Sequence, residues 1–294
     1  MTAPLLHVLG GGRAAQSLAR VFLEREAVRI GQVCNRSLGS ARKAVDFIGA
    51  GQPMESLNAG VSDGWLMVGL PDGVIEESVA ALAEEFAERP QLAFHLSGSV
   101  SSKVLEPLGC QVASVHPLKA FSHPERAVAS FAGTWCVAEG GEAALVALRA
   151  VFERVDARWV EFMPRDKAAW HAATIAASNF LVTINALARE LAAVAGMAEN
   201  DAARILLDLQ RGTLTNLIEK PAAQALTGPL ERSDLPACRR LHATVHEGVS
   251  PTAAALFDRL SEATLDLARV KRGDRPSDDE LARLFAGGRP DSKR

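Results

Sequence analysis

Residues 7–19, HVLGGGRAAQSLA, run from an apolar, strand-like segment through a glycine cluster into an alanine-rich helical pattern. Gly10, Gly12 and Ala15 give the spacing G-x-G-x-x-A directly after a strand and at the opening of a helix, the context in which this spacing has a mechanical meaning. Gly10 permits a tight turn, Gly12 lets the backbone approach a pyrophosphate, and the small Ala15 lets the helix lie close to the strand. The free N–H groups of the first turn, at Arg13 and Ala14, and the positive end of the helix dipole then face the phosphates. A glycine-rich turn without a ligand is the competing reading. Placement on the first strand-to-helix turn of a βαβ series favours a dinucleotide.

The flanking sequence supplies that series. LLHVL (5–9), VRIGQVC (28–34), WLMVGL (65–70), LAFHL (92–96), VASVH (112–116), TWCVAE (134–139) and RWVEF (158–162) read as strands, several of them continuously apolar as buried parallel strands are. Helical patterns lie between them at 14–26, 73–88 and 142–155. After Pro164 the strand-like runs stop, and Ala-, Leu- and Arg-rich helices are separated by breaks at Gly196, Gly212, Pro221, Gly228–Pro229 and Gly248. The expected architecture is α/β: a doubly wound, mostly parallel sheet over 1–164, then an all-α domain over 165–275. The stretch 276–294, polar and rich in breakers, reads as a tail that frays at its end.

Composition narrows the function. A length of 294 residues suggests two domains at roughly 150 residues each. With 32 Lys+Arg against 35 Asp+Glu, the net charge of −3 lacks the basic excess that phosphate neutralisation requires, so no nucleic-acid partner is expected. Cys34, Cys110, Cys136 and Cys238 form no CxxC pair, which fits reduced thiols in the cytoplasm. The opening MTAPLLHVLGGG has no charged n-region or cleavage site, so export is not expected. Residues 168–188 contain no Asp, Glu, Lys or Arg and are long enough to span a bilayer. His171, Ser178, Asn179, Thr183 and Asn185 interrupt that stretch, so it reads as a helix buried in a soluble domain, with no membrane partner. The chain has no tyrosine, which excludes mechanisms that need a phenol, such as the Tyr/Lys pair of short-chain dehydrogenases.

The end of the second strand selects the dinucleotide. NAD sites usually place an acid there for the ribose 2′-OH, whereas this chain has Cys34-Asn35-Arg36-Ser37. Arg36 can pair with a 2′-phosphate while Asn35 and Ser37 donate hydrogen bonds, so NADP is the expected cofactor. The backbone at Leu70 and Pro71 is expected beside it, at the carboxyl ends of the strands, with Asp72 either in the site or a helix cap.

GGGRAAQSLA, VGLPDGVI, FHLSGSV, SVHPLKAF, WHAATIAASN and TGPLERSD, in this order, resemble a bacterial family of Rossmann-like proteins whose C-terminal helical part is a domain of unknown function. The family is similar in plan to ketopantoate reductase, pyrroline-carboxylate reductase and the 6-phosphogluconate-dehydrogenase-like group. The resemblance spans Leu5 to about Leu267 and implies an N-terminal NADP-binding domain, a helical second domain and dimers, without naming a substrate. Two positions depart from the pattern: Trp170 stands where Tyr is usual, and Ser233 where a loop normally has Gly.

Candidate chemistry follows the same segments. Ser97 sits in a turn after a strand, either offering its hydroxyl to a substrate or capping the turn. His116, before Pro117 at another strand end, is a candidate general acid or a packed histidine. His171, Ser178 and Asn185 are seven apart and form one polar stripe on an apolar helix, flanked by Asn179. The related reductases carry catalytic Lys and Asn on the corresponding helix, and by position the resemblance points to His171 and Asn179, with Lys167 as a second candidate. In TGPLERSD, Asp234 is placed as an N-cap, and Arg232 reads either as a contact for an anionic substrate or as a surface ion pair. His242 and His246 have a metal-capable spacing, but the sequence shows neither an HExxH motif nor a third ligand, so no metal is assigned.

Three functions fit these residues. The first is an NADP-dependent oxidoreductase acting on a small carbonyl, hydroxyl or imine substrate in an interdomain cleft, aided by His171, Asn179, Ser97 and His116. The second is a non-catalytic NADP(H) sensor, and the third a dimeric scaffold. The apolar surface of the helical half predicts a homodimer through that domain.

Overall fold

Continuous apolar runs punctuated by glycine and proline make central strands, and the computed structural model, which describes residues 3–57, 61–86 and 88–287, shows where they go. In chain order the sheet region contains β1 (Leu5–Leu9), α1 (Arg13–Glu24), β2 (Arg29–Cys34), α2 (Leu38–Ile48), β3 (Gln52–Met54), β4 (Trp65–Val68), α3 (Asp72–Glu85) and β5 (Leu92–His95). A 3₁₀ turn at Ser102–Leu108 follows, then β6 (Gln111–Pro117), α4 (Pro124–Ala129), β7 (Trp135–Gly140), α5 (Glu142–Arg154) and β8 (Arg158–Glu161). The sheet order is β3-β2-β1-β4-β5-β6-β7-β8. Every neighbouring pair is parallel except β6 and β7. This is the doubly wound arrangement expected, and all seven strand-like runs form strands. The eighth, β3, escaped the sequence reading because three residues containing Pro53 carry no periodicity.

Alternation along the strands splits the core in two. On β4, Met67 joins Leu18, Phe22, Phe94 and Phe152 on one face. Its neighbours Leu66 and Val68 join Ile75, Val79 and Leu105 on the other. Both faces are therefore dry, as a parallel sheet requires.

The chain divides into two compact units, 1–175 and 176–294. The boundary falls inside α6 (Lys167–Val194) rather than near residue 164, because that helix starts in the first unit and continues into the second. The second unit contains α7 (Glu199–Glu219), α8 (Ala222–Ala225), α9 (Pro229–Arg232), α10 (Leu235–Gly248), α11 (Pro251–Arg272) and α12 (Asp278–Phe285). Its core holds Cys238, Leu265, Leu281 and Phe285, with Leu230, Leu235 and Phe257 packed against them.

Two expectations are corrected here. The stretch read as a polar tail carries α12, whose Leu281 and Phe285, four apart on one face, are buried. Its first residue, Asp278, is locked to Arg272 by two hydrogen bonds of 2.9 Å, and the guanidinium beside it holds its carboxyl well below the usual carboxylate range. The uncharged helix expected to be buried is instead largely exposed: Leu187 is the one buried residue of α6. It is long and apolar enough to cross a membrane, but within one chain too little packs against it.

Ser233 adopts a left-handed conformation, φ 61°, where the resembled family has glycine. That geometry costs a non-glycine residue roughly 1–2 kcal/mol. Its hydroxyl donates to Asp278 Oδ1 at 2.7 Å, a bond to a charged group worth about 1.5–3 kcal/mol that offsets the strain.

Candidate functional site

Glycine at three positions shapes a cavity at the carboxyl ends of β1, β2 and β4. Gly10 has φ 86°, and a side chain there would meet Leu70 Cδ2 at 2.8 Å and Gly69 O at 2.9 Å. A Cβ on Gly69 would lie 2.4 Å from the Cβ of Ala15, so strand and helix touch only because all three residues are small. Gly12 differs: an added Cβ would meet only Gly69 O, at 3.6 Å, and would otherwise occupy open space at the N-terminus of α1. The resulting cavity, about 850 Å³, is lined by Gly10, Gly12, Asn35, Arg36, Leu70 and Pro71 among others.

Asn35 closes one wall, its Oδ1 accepting from Gly11 N at 2.5 Å and its Nδ2 donating to Ser40 O at 2.9 Å. Ser37 caps α2, accepting from Ser40 N. Arg36 is exposed at the cavity rim and has no ion-pair partner among the described residues. Glu55 also lines the cavity and accepts from Leu38 N at 3.1 Å. The sequence reading missed it, because it follows the strand that carried no pattern. Arg13 and Ala14 are the first two residues of α1.

One row of the sheet leads from this cavity to a polar cluster. The register aligns Cys34 with Leu9, Leu9 with Val68, Val68 with His95, His95 with Ser114, and Ser114 with Glu139. Glu139 is buried and accepts from the backbone N–H and hydroxyl of Ser102, each at 2.7 Å, and from Lys167 Nζ at 2.9 Å. Burial alone would raise its pKa, but these hydrogen bonds and the nearby ammonium bring it below the ordinary value. Lys167, the first residue of α6, also donates to Ser114 Oγ. Burial pulls its pKa below the ordinary lysine value against the opposing pull of Glu139. An ammonium has three donors, so one remains after these two bonds.

Beside this pair, the His116 and His171 rings meet edge to face at 5.6 Å between centroids. Both press on Gly98, where a Cβ would fall 2.5 Å from His171 Nδ1 and 2.6 Å from His116 Cε1. Ser97 Oγ accepts from Ser99 N and Val100 N at 3.1 and 3.0 Å, so the hydroxyl holds the turn that carries Gly98. Asp72, at the start of α3, accepts from Ser99 Oγ and ties the same turn to the cavity wall.

The first unit thus brings together Ser97, His116, His171 and Lys167. Asn179 and Ser178 fall in the second unit on exposed positions of α6, while Asn185 donates to Gln210 of α7 at 2.8 Å. Asp234 is the N-cap of α10, accepting from Ala237 N. Arg232 closes the short α9, its carbonyl accepting from Arg275, and its side chain meets neither an acid nor a site residue among the described residues. Glu139, Ser102 and Ser114 were not singled out from sequence. The available signal was an acid at the end of TWCVAE, in register with strand interiors.

Fold and cavity together define a class: a Rossmann-like α/β domain followed by a helical domain. Residues 134–264 match the model of a family described as a domain of unknown function (DUF2520). That match begins just before β7 and ends within α11, so it takes in the last two strands of the sheet as well as helices. No curated protein matches the sequence. Among solved structures, protein TM1727 from Thermotoga maritima is 24% identical with a TM-score of 0.65, over 91% of this chain and 99% of that one. Protein BF3122 from Bacteroides fragilis, whose given name proposes an NADP oxidoreductase, is 21% identical with a TM-score of 0.75, over 90% and 99%. An imine reductase from Myxococcus stipitatus in complex with NADP+ is 17% identical with a TM-score of 0.62, over 96% and 100%. At these identities the likeness establishes the fold.

The buried imidazoles make stability depend on pH. Burial, chiefly, lowers both His95 and His116 from 6.5 to about 4. Between those values the unfolded chain binds protons that the folded chain does not, so stability is full above pH 6.5 and is lost as pH falls toward 4. The fully buried His95 contributes a slope of about 1.4 kcal/mol per pH unit in that window, and the half-buried His116 less. Urea unfolding at pH 7.5, 6.0 and 5.0 should show this decline, and His116→Gln should lessen it while His95 keeps the larger share; a pH-independent midpoint would contradict the assignment.

Proposed function

We propose that this chain is an NADP(H)-dependent oxidoreductase that transfers hydride to or from a carbonyl, hydroxyl or imine carbon of a small substrate. The observation that carries the reading is Arg36, a cation without an ion-pair partner among the described residues, at the rim of a cavity shaped by Gly10 and Gly69. Arg36 would take the 2′-phosphate, the Asn35–Ser37 turn would frame it, and the open face of Gly12 would admit the pyrophosphate to the N-terminus of α1. When bound, the nicotinamide supplies or receives the hydride. A similar fold in an imine reductase with NADP+ supports the imine class among these substrates.

The protein's own part is proton transfer and orientation. His171 and His116, packed on Gly98, are the groups proposed to hand a proton to the substrate heteroatom or take one from it. Lys167 keeps a free N–H for the same atom while Glu139 and Ser114 fix its direction. Ser97 acts as a positioning residue through its turn. All four cysteines are free, which suits the reducing cytoplasm proposed for it.

Titration of tryptophan fluorescence should show NADPH binding at least about tenfold tighter than NADH, with Arg36→Ala removing the difference, since a charge-assisted pair is worth about 1.5–3 kcal/mol. With a substrate found by screening at the NADPH absorbance, His171→Ala should keep NADPH affinity and lose about two to four orders of magnitude in rate. Equal affinity for the two nucleotides would refute the cofactor assignment, and a retained rate would refute the role of His171.

The chain is further proposed to work as a homodimer. Phe180, Val182, Leu209 and Ile218 on α6 and α7 are 56%, 70%, 67% and 86% exposed, an apolar surface for which a second copy is the cover. Light scattering at micromolar concentration should give twice the chain mass, and a monomer would count against it.

A further inference from the structure

α10 carries His242 and His246 one turn apart on the same face, and α11 presents Asp258 to both of them. We propose that these three residues form a binding site for a divalent transition-metal ion of the zinc class. The site lies wholly in the second unit and owes nothing to the nucleotide reading.

The ligand atoms of the three side chains lie within 4.8 Å of one another. His246 Nε2 is 2.9 Å from Asp258 Oδ2, and His242 Nε2 is 3.6 Å from Asp258 Oδ1. Around an ion with bonds of about 2.0–2.2 Å, tetrahedral ligands stand roughly 3.4 Å apart, and the two observed separations bracket that spacing. The imidazoles lie 4.2 Å apart between centroids with their planes 31° from parallel, which suits two rings reaching toward one point.

Hydrogen bonding explains only half of this arrangement. His246 and Asp258 Oδ2 satisfy each other, but His242 Nε2 and Asp258 Oδ1 are buried with no hydrogen-bond partner among the described residues. Asp258 is 6% exposed, and its carboxylate meets imidazoles without any Arg or Lys paired to it among the described residues. Leaving a buried donor or acceptor unpaired is costly, and an ion accepting from His242 and Asp258 at once removes both vacancies.

Three protein ligands leave a fourth position open. A cavity of about 280 Å³ borders His246 and Asp258, large enough for the water or small anion that would complete a tetrahedron. The ion would also clamp α10 to α11 beside the buried Phe285, whose ring lies 5.8 Å from that of His242. Binding would therefore stabilise the second unit, because the ligands meet only when it is folded.

The test uses the full chain without a histidine tag, dialysed against chelator and titrated with ZnCl₂ by calorimetry, with the unfolding midpoint measured in parallel. One ion per chain is expected, with a raised midpoint. His242→Gln and Asp258→Asn should each weaken binding at least about tenfold and abolish the rise. Should Asp258→Asn fail to fold, His242→Gln alone decides, since His242 Nε2 has no hydrogen-bond partner among the described residues and its loss leaves Asp258 bonded to His246. Co²⁺ in place of Zn²⁺ should give the visible absorption of a tetrahedral centre in the wild type and lose it in His242→Gln. No heat and no midpoint shift with either ion, or binding unchanged in His242→Gln, would overturn the site.

Discussion

The close approach of two backbones, Gly10 at the end of β1 and Gly69 at the end of β4, is the constraint on which the first unit depends. Gly69 N donates to Leu9 O at 2.7 Å and Gly10 N to Cys34 O at 2.8 Å, so one turn joins three strand ends. No side chain fits between them, and Ala15 is the largest residue α1 can place against Gly69. This contact sets the helix N-terminus over the sheet edge. The cavity is the space left by residues that have nothing to fill it with.

From that edge the sheet register does the remaining positioning. Parallel strands put the ends of β1, β2, β4, β5 and β6 on one side, so the glycine-shaped cavity and the polar cluster share an edge without being near in sequence. The antiparallel β7 breaks the rule usefully: it runs back so that Glu139 falls opposite Ser114, where Lys167 reaches both. A buried carboxylate with a lysine and two serine hydroxyls around it is tolerated because its polar atoms are paired. It thereby holds the start of α6, and with it His171, against the sheet.

The strands and the glycine turn were legible because their physics is local: apolar continuity, small residues at fixed spacing, and an arginine where an acid would otherwise stand. What could not be read was set by partners distant in sequence. Glu139, Glu55 and Asp258 each look like ordinary surface acids until the fold supplies Lys167, the cavity rim or the two imidazoles. The helix α12 hid behind Asp278 and its charged neighbours, because its buried first residue is explained by Arg272, six residues back, and its apolar residues Leu281, Leu284 and Phe285 span little more than one turn. α6 misled in the other direction. An uncharged composition reads as burial, whereas the single chain leaves that helix largely bare.

Gly12 separates a folding role from a binding role. Its backbone conformation suits any residue, and an alanine Cβ there meets only one ordinary contact, at 3.6 Å. Gly12→Ala should therefore stay folded and lose no more than about 1 kcal/mol of stability. The same methyl would stand where the pyrophosphate must approach the backbone, so NADPH binding by fluorescence titration should be lost. A folded Gly12→Ala protein that binds NADPH as tightly as the wild type would contradict the claim that this turn is a dinucleotide site.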